Sequence, residues 1–189
     1  MGNKFVMSLI FFVTALSMDA QNINITEPEF VGQAIVINID EKPEVLESSR
    51  LQVDSDLKLF SFKTNYKFWL EIQGCCSKTI LNKSNTPIKF IVKAENNNQD
   101  PTALYQIVKL EKDKIKRKLL VSTMSMKGAK TNQESFINFY GKKFGSTSYL
   151  LSASIAEPGE YGLVLGSIME AQARSQMGSP STIFTFSVK

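Results

Sequence analysis

ALYQIVKLEKDKIKRKLLVSTM (Ala103–Met124) sets two apolar-rich runs on either side of the charged tetrad Glu111–Lys114. Runs of this kind joined by a short polar tip read as a β-hairpin. The stretch therefore predicts antiparallel β-structure, and its neighbours follow the same pattern. Upstream, Pro87–Glu95 puts Ile88, Phe90 and Val92 on one face and Lys89 and Lys93 on the other, because strand side chains alternate. Asn96–Pro101 (NNNQDP) is a dense turn signal. Downstream, Phe136–Phe144 and Ser148–Ile155 form a second predicted hairpin about Gly145-Ser146, and Pro158-Gly159 turns into Tyr161–Leu165. Thr182–Lys189 ends the chain with Phe184, Phe186 and Val188 facing one way and Ile183, Thr185 and Ser187 the other.

The earlier part of the chain carries further strand signals at Phe30–Ile39, Glu44–Ser55, Leu57–Phe62, Lys67–Ile72 and Lys78–Lys83. Asp40–Pro43 breaks the first of these, since proline removes a ladder donor. Ser167–Met177 is compatible with a short helix near the C-terminus, with Met169, Ala173 and Met177 at four-residue spacing but no evident cap. The count comes to about nine or ten short strands with turns between them, a sandwich or barrel pattern. Parallel βαβ units would need long helices between strands. The expected fold is all-β, an antiparallel β-sandwich.

Met1–Ala20 reads as a secretion signal: Lys4, an apolar run from Phe5 to Leu16, then small and polar residues. The run is shorter than the roughly 20 apolar residues a spanning helix needs, and a small-residue exit marks a cleavable leader. Cleavage after Ala20 leaves residues 21–189 as one domain, exported to the periplasm or cell surface and not membrane-spanning. Thirteen Phe, five Tyr and one Trp supply its core, and such residues favour strands. The net charge of +4 arises in Lys109–Lys118, with six basic and two acidic residues. A nucleic-acid binder spreads basic and aromatic residues over a broad face, so no nucleic-acid partner is expected. The basic run solvates a hairpin tip or, read more sharply, makes a docking hairpin of Lys112, Lys114, Lys116, Arg117 and Lys118 for an acidic envelope surface.

Histidine is absent, which removes Ser-His-Asp and Cys-His catalysis. Two cysteines are too few for a thiolate zinc cage, and no glycine-rich phosphate motif occurs. No catalytic residue, cofactor or metal site is expected. Asp54, Asp56, Glu71, Asp100 and Glu160 are available carboxylates, but nothing in the sequence pairs two of them as sugar hydrolysis requires. Asn96–Asp100 is oxygen-rich with one carboxylate, too little charge for tight calcium binding.

Cys75-Cys76 and the aromatic group Tyr66, Phe68 and Trp69, near Phe60 and Phe62, are the unusual features. Neighbouring Cα atoms sit about 3.8 Å apart, closer than an ordinary disulfide. Core packing of free thiols is the leading reading of the pair; a vicinal disulfide or a thiol-redox role are the alternatives. Parity sets Trp69 opposite Tyr66 and Phe68. The core is the expected place for Trp69, since large aromatics are mostly buried; an exposed Trp69 strengthens a binding role.

QGCCSK, IKFIVKAENNNQDPTALYQIVKLEKDK, GKKFGSTSYLL, PGEYGLVL and a closing FTFSV occur in that order between Phe30 and Val188. This order resembles a group of uncharacterised exported β-sandwich proteins of Bacteroidota. Its motifs are structural: Asp100-Pro101 before a strand, Lys143–Ser148 between strands, Pro158–Tyr161 into a strand. The resemblance implies a β-sandwich in the cell envelope and transfers no catalytic residue. The functional expectation is a non-enzymatic binding or structural module whose partner is an envelope protein or glycan. A thiol-responsive module using Cys75-Cys76, and then a carbohydrate-active protein, are the alternatives.

Overall fold

The computed structural model describes residues 25–37, 42–55, 65–179 and 181–189. The signal segment and the strand expected over Leu57–Phe62 lie outside them. In the first half, β1 (Ala34–Ile37), β2 (Pro43–Val45), β3 (Glu47–Ser55), β4 (Asn65–Gln73), β5 (Ile80–Leu81) and β6 (Ile88–Lys93) precede α1 (Pro101–Leu104). There follow β7 (Tyr105–Lys112), β8 (Lys116–Ser125), β9 (Gly128–Thr131) and β10 (Phe136–Ile137). The chain ends with β11 (Phe139–Phe144), β12 (Ser148–Ala153), β13 (Gly159–Leu165), α2 (Ile168–Gln176) and β14 (Ser181–Val188).

The all-β expectation holds, with fourteen strands among the described residues in place of nine or ten and every pairing antiparallel but that of β5 with β14; in place of a plain sandwich the chain forms a barrel and a second sheet. The hairpin that predicted it forms only at its tip. β7 and β8 pair at Glu111↔Lys118 and Lys112↔Arg117 and then part, β7 joining β13 and β10 while β8 joins β4 and β9. That tip closes a six-strand ring, β7-β13-β14-β3-β4-β8, into an antiparallel barrel. Closure removes sheet edges that would otherwise invite pairing with other chains. β5, β9 and β10 extend the barrel's sheet from β14, β8 and β7, and the other five strands form a second sheet in the order β11-β12-β6-β1-β2.

Strand alternation lets β13 and β14 serve two cores at once. Tyr161, Leu163, Phe184, Phe186 and Val188 pack against Phe90, Val92, Tyr149 and Leu151 of the second sheet. The Phe186 ring lies 5.1 Å from that of Phe90 and stacks on Tyr161 at 5.6 Å. The opposite side chains, Val164 and Ile183, join Leu51, Leu70, Ile72, Val108, Leu119 and Val121 inside the barrel. Gly162 keeps that interior narrow, since a Cβ there would run into Ile183.

α2 plugs one end of the barrel with Ile168 and Ala171. The Gln106 side chain accepts from the Ile168 N–H at 2.8 Å. Its cap is Ser167, whose hydroxyl accepts from Glu170 N–H while the Glu170 carboxylate accepts from Ser167 N–H. Such a capping box satisfies two donors that the helix leaves open.

The second sheet turns Ile35, Ile37, Ile91 and Leu150 to its outer face, and Ile25 packs there with Phe144. Two residues on, the Glu27 carboxylate binds Lys93 and the Ser146–Ser148 turn. The Lys93 ammonium, against the opposing effect of burial, and the bonds from Ser146, Ser148 and Thr147 lower the Glu27 pKa from 4.5 to about 2. A carboxylate with a lower pKa folded than unfolded stabilises the fold above the unfolded value, and that contribution fades as pH falls toward the folded one. Replacing Glu27 by Gln is expected to lower stability at pH 7 by roughly 1–2 kcal/mol, allowing for solvent screening. In urea unfolding, the gap between wild type and Glu27→Gln should shrink to about half or less by pH 3.

Candidate functional site

A bulge in β8 leaves the alternation of β4 intact. Phe68 lies opposite Ser122 and Trp69 opposite Leu120, so Val121 of β8 is the extra residue. On its other side β4 pairs with β3 without a shift, Asp54 opposite Trp69 and Ser55 opposite Phe68, so Phe68 and Trp69 point to opposite faces. The expected parity, Trp69 opposite Tyr66 and Phe68, therefore holds, but the expected core place of Trp69 is corrected. Trp69 lies half-buried on the outer wall with Lys67 and Glu71, while Tyr66 and Phe68 share the face of Leu70 and Ile72, which fill the interior. Phe60 and Phe62, the other members of the aromatic group, lie outside the described residues.

Polar groups surround the Trp69 indole. Lys118 Nζ stands 5.0 Å and Lys67 Nζ 5.8 Å from its ring centroid, within the range of cation–π attraction. Asp54 is its partner on β3 and Leu120 its partner on β8. Glu71, two residues along β4, accepts from Lys116 Nζ, a bond that raises the lysine's pKa. The outer wall thus presents a flat indole ring beside carboxylate acceptors and ammonium donors.

The basic hairpin does not survive as a continuous docking face. Lys112 and Lys114 are exposed near its tip. Lys116 is held by Glu71, and Lys118 lies between Trp69 and Asp113, 3.9 Å from the latter's carboxylate. Arg117 points the other way, into the barrel, and is 2% exposed. The KRK alternation along β8 accounts for this, since its middle residue shares the face of Leu119 and Val121.

At the barrel end away from α2, Arg117 meets the cysteine loop. Its Nε donates to Gly74 O at 3.0 Å and its Nη1 to Ser77 Oγ at 2.7 Å. Ser77 donates in turn to Glu160 through its hydroxyl at 2.6 Å and its N–H at 2.9 Å. Ser187 Oγ donates to the other Glu160 oxygen at 2.6 Å. Burial lowers the Arg117 pKa, with Glu160 and Glu47 opposing that effect.

Cys75 and Cys76, between Gly74 and Ser77, are bonded to each other. The leading sequence reading, free thiols in the core, is corrected: the pair forms a vicinal disulfide, with Cys75 partly buried and Cys76 exposed. Gly74 makes the turn possible at φ +91°, a region that only glycine enters readily.

The remaining carboxylates take separate structural duties. Asp100 caps α1 by accepting from Thr102, and Glu160 serves the barrel network. Asp56 lies outside the described residues, and no group of three or more metal-ligating side chains occurs among the described residues. The Asn96–Asp100 stretch, weighed for calcium, is a turn in which Asn98 N–H bonds the Asn96 side chain. A cleft of about 460 Å³ opens beside α2 between Gln106, Phe136, Asn138, Ile168 and Met169. It gathers none of the residues singled out by sequence.

Comparison of the chain with protein-family models, curated proteins and solved structures finds no match.

Two outcomes follow from the barrel mouth. Arg117→Ala strands the Glu160 carboxylate in a buried site and is expected to cost about 3–5 kcal/mol in urea unfolding. Intact mass of the native protein should show the deficit of two hydrogens that the disulfide requires. Alkylation should then add nothing before reduction and two labels after it.

Proposed function

We propose that this protein is an exported, non-enzymatic glycan-binding module of the cell envelope, a β-sandwich-like sheet stacked on a barrel whose outer wall holds the ligand. The observation that carries this reading is the outward, half-buried Trp69, its indole flanked by Lys67 and Lys118. Aromatic faces stack on the apolar faces of sugar rings, and Asp54, Glu71, Lys67 and Lys118 supply acceptors and donors for the hydroxyls around them. The leader-like Met1–Ala20, the missing histidine and the resemblance to exported Bacteroidota proteins support the envelope setting and the absence of catalysis.

A second reading rests on the vicinal disulfide. It sits one residue from Ser77, the hydrogen-bonding hub of the barrel mouth, so reduction would loosen the loop that fills that mouth. A thiol-responsive module is the form this reading takes. The carbohydrate-active alternative ranks below both, since Glu71 is committed to Lys116.

Trp69 is the chain's single tryptophan, so its fluorescence reports directly on the proposed surface. Affinity electrophoresis against soluble polysaccharides should show retardation, with a matching change in Trp emission on titration. Trp69→Ala should abolish the retardation while costing about 1–2 kcal/mol of stability, below the 3–5 typical of a fully buried aromatic. Retardation unchanged in Trp69→Ala would refute the proposed surface. Retention of the binding in Cys75→Ser/Cys76→Ser separates this reading from the thiol one.

A further inference from the structure

The Glu27 carboxylate is held by more donors than a structural peg needs. Its Oε1 accepts from the Ser146 N–H and from Ser146 Oγ at 3.2 Å. Its Oε2 accepts from Lys93 Nζ at 2.7 Å, Ser148 Oγ at 2.9 Å and Thr147 Oγ1 at 3.2 Å. Five donors thus converge on one anion. They come from β6, from the first residue of β12 and from the turn before it. Lys93 and Ser148 are cross-strand partners, so the sheet itself fixes the spacing of the ammonium and the hydroxyl.

The turn is built to face donors toward the anion. Asn97, buried at 7% exposure, donates its side-chain amide to Gly145 O at 3.4 Å and to Ser148 O at 3.2 Å. Those carbonyls are thereby occupied away from the carboxylate, which leaves the N–H and hydroxyls to face it. Gly145 adopts φ +57°, and a Cβ there would strike the Glu27 carboxylate. The turn therefore needs glycine both for its backbone and for the approach of the anion.

We propose that Lys93 and the Gly145–Ser148 turn form an oxyanion receptor, for a carboxylate or phosphate group, of which Glu27 is the built-in occupant. Glu27 reaches it from a strap, Ile25–Pro28, that carries no strand pairing. Removing the carboxylate leaves the fully buried Ser148 hydroxyl and the Lys93 ammonium unpaired, a cost that an incoming oxyanion repays. A ligand bearing such a group can thus take the place that Glu27 holds once the carboxylate is withdrawn. The receptor is separate from the Trp69 surface and does not depend on the glycan reading.

The test is chemical rescue in the full chain. Glu27→Ala is titrated with inorganic phosphate, acetate and chloride at matched ionic strength and pH 7, and stability is read by urea unfolding. Binding to the folded state alone predicts that the folded-to-unfolded ratio rises about tenfold for each tenfold rise in anion above half-saturation. Phosphate or acetate should do this in Glu27→Ala, chloride should not, and wild type should respond to none beyond the chloride baseline. Which of the two works tells tetrahedral from planar oxyanions. Adding Lys93→Met should remove the response. If Glu27→Ala does not fold in chloride, the same titration reads recovery of the folded fraction. A Glu27→Ala protein that gains no more from phosphate or acetate than from chloride overturns the proposal.

Discussion

A guanidinium removed from water needs its N–H groups filled and its charge answered, and Arg117 meets both needs at the place where the barrel closes. The ring is joined at β7 and β8 by two registered pairs, one of which includes Arg117 itself. Ladder bonds alone hold so short a seam weakly. Arg117 reinforces it by reaching Gly74 on the loop after β4, Ser77 on the same loop, and Glu160 at the start of β13, 3.8 Å away. Ser187 of β14 completes the shell around Glu160. Four points of the chain are thereby fixed to a single charge. Buried ion pairs add little net stability over an apolar replacement, yet they penalise misregistered alternatives severely. A one-residue slip of β8 would expose Arg117 and bury Lys116 or Lys118 in its place.

That same slip rule explains how far the sequence could be read. Period-two alternation was enough for β6, β13 and β14, where each strand is buried on at least one face without interruption. Phe90 and Val92, Tyr161 and Leu163, and Phe184 and Phe186 all lie on the face that alternation assigns them. The β11–β12 hairpin about Gly145 was equally legible, because the turn residue requires its positive φ. At Trp69 the parity of NYKFWLEIQ held, but parity does not say which face of a strand is the core, and the general burial of large aromatics pointed the wrong way. The α2 cap was missed although its signal was present, Ser167 followed three residues later by Glu170. The divergence of β7 from β8 was beyond local pattern altogether, since both strands are apolar enough to pair with several neighbours.

Legibility was lowest where charge and position part company. Five basic residues in one hairpin look alike in sequence, yet they divide among three environments. Lys112 and Lys114 meet solvent, Lys116 and Lys118 are drawn onto the outer wall by Glu71, Trp69 and Asp113, and Arg117 enters the barrel. Which one goes inside follows from pairing parity with Leu119 and Val121, and which one can tolerate it follows from chemistry. Arginine stays charged and offers several donors in a fixed fork, whereas a buried lysine tends to lose its proton. The hairpin is therefore better read as the edge of the aromatic surface than as an independent basic patch.

The ring order places the two proposed binding features on different sides of the molecule. β13 and β14 give one wall of the barrel to the five-stranded sheet, and β4 and β8 lie across the ring from them. The Trp69 face of β4 thus points away from that sheet, and the oxyanion turn between β11 and β12 lies on the sheet's outer side. Between them stand two packed cores, the sheet–barrel layer around Phe186 and the barrel interior around Leu119. Interiors packed this closely transmit little deformation short of a discrete rearrangement. Occupancy at one surface has no evident path to the other, apart from the strand that lines both cores. β14 alternates between them along its whole length, which makes it the element through which any coupling would have to pass.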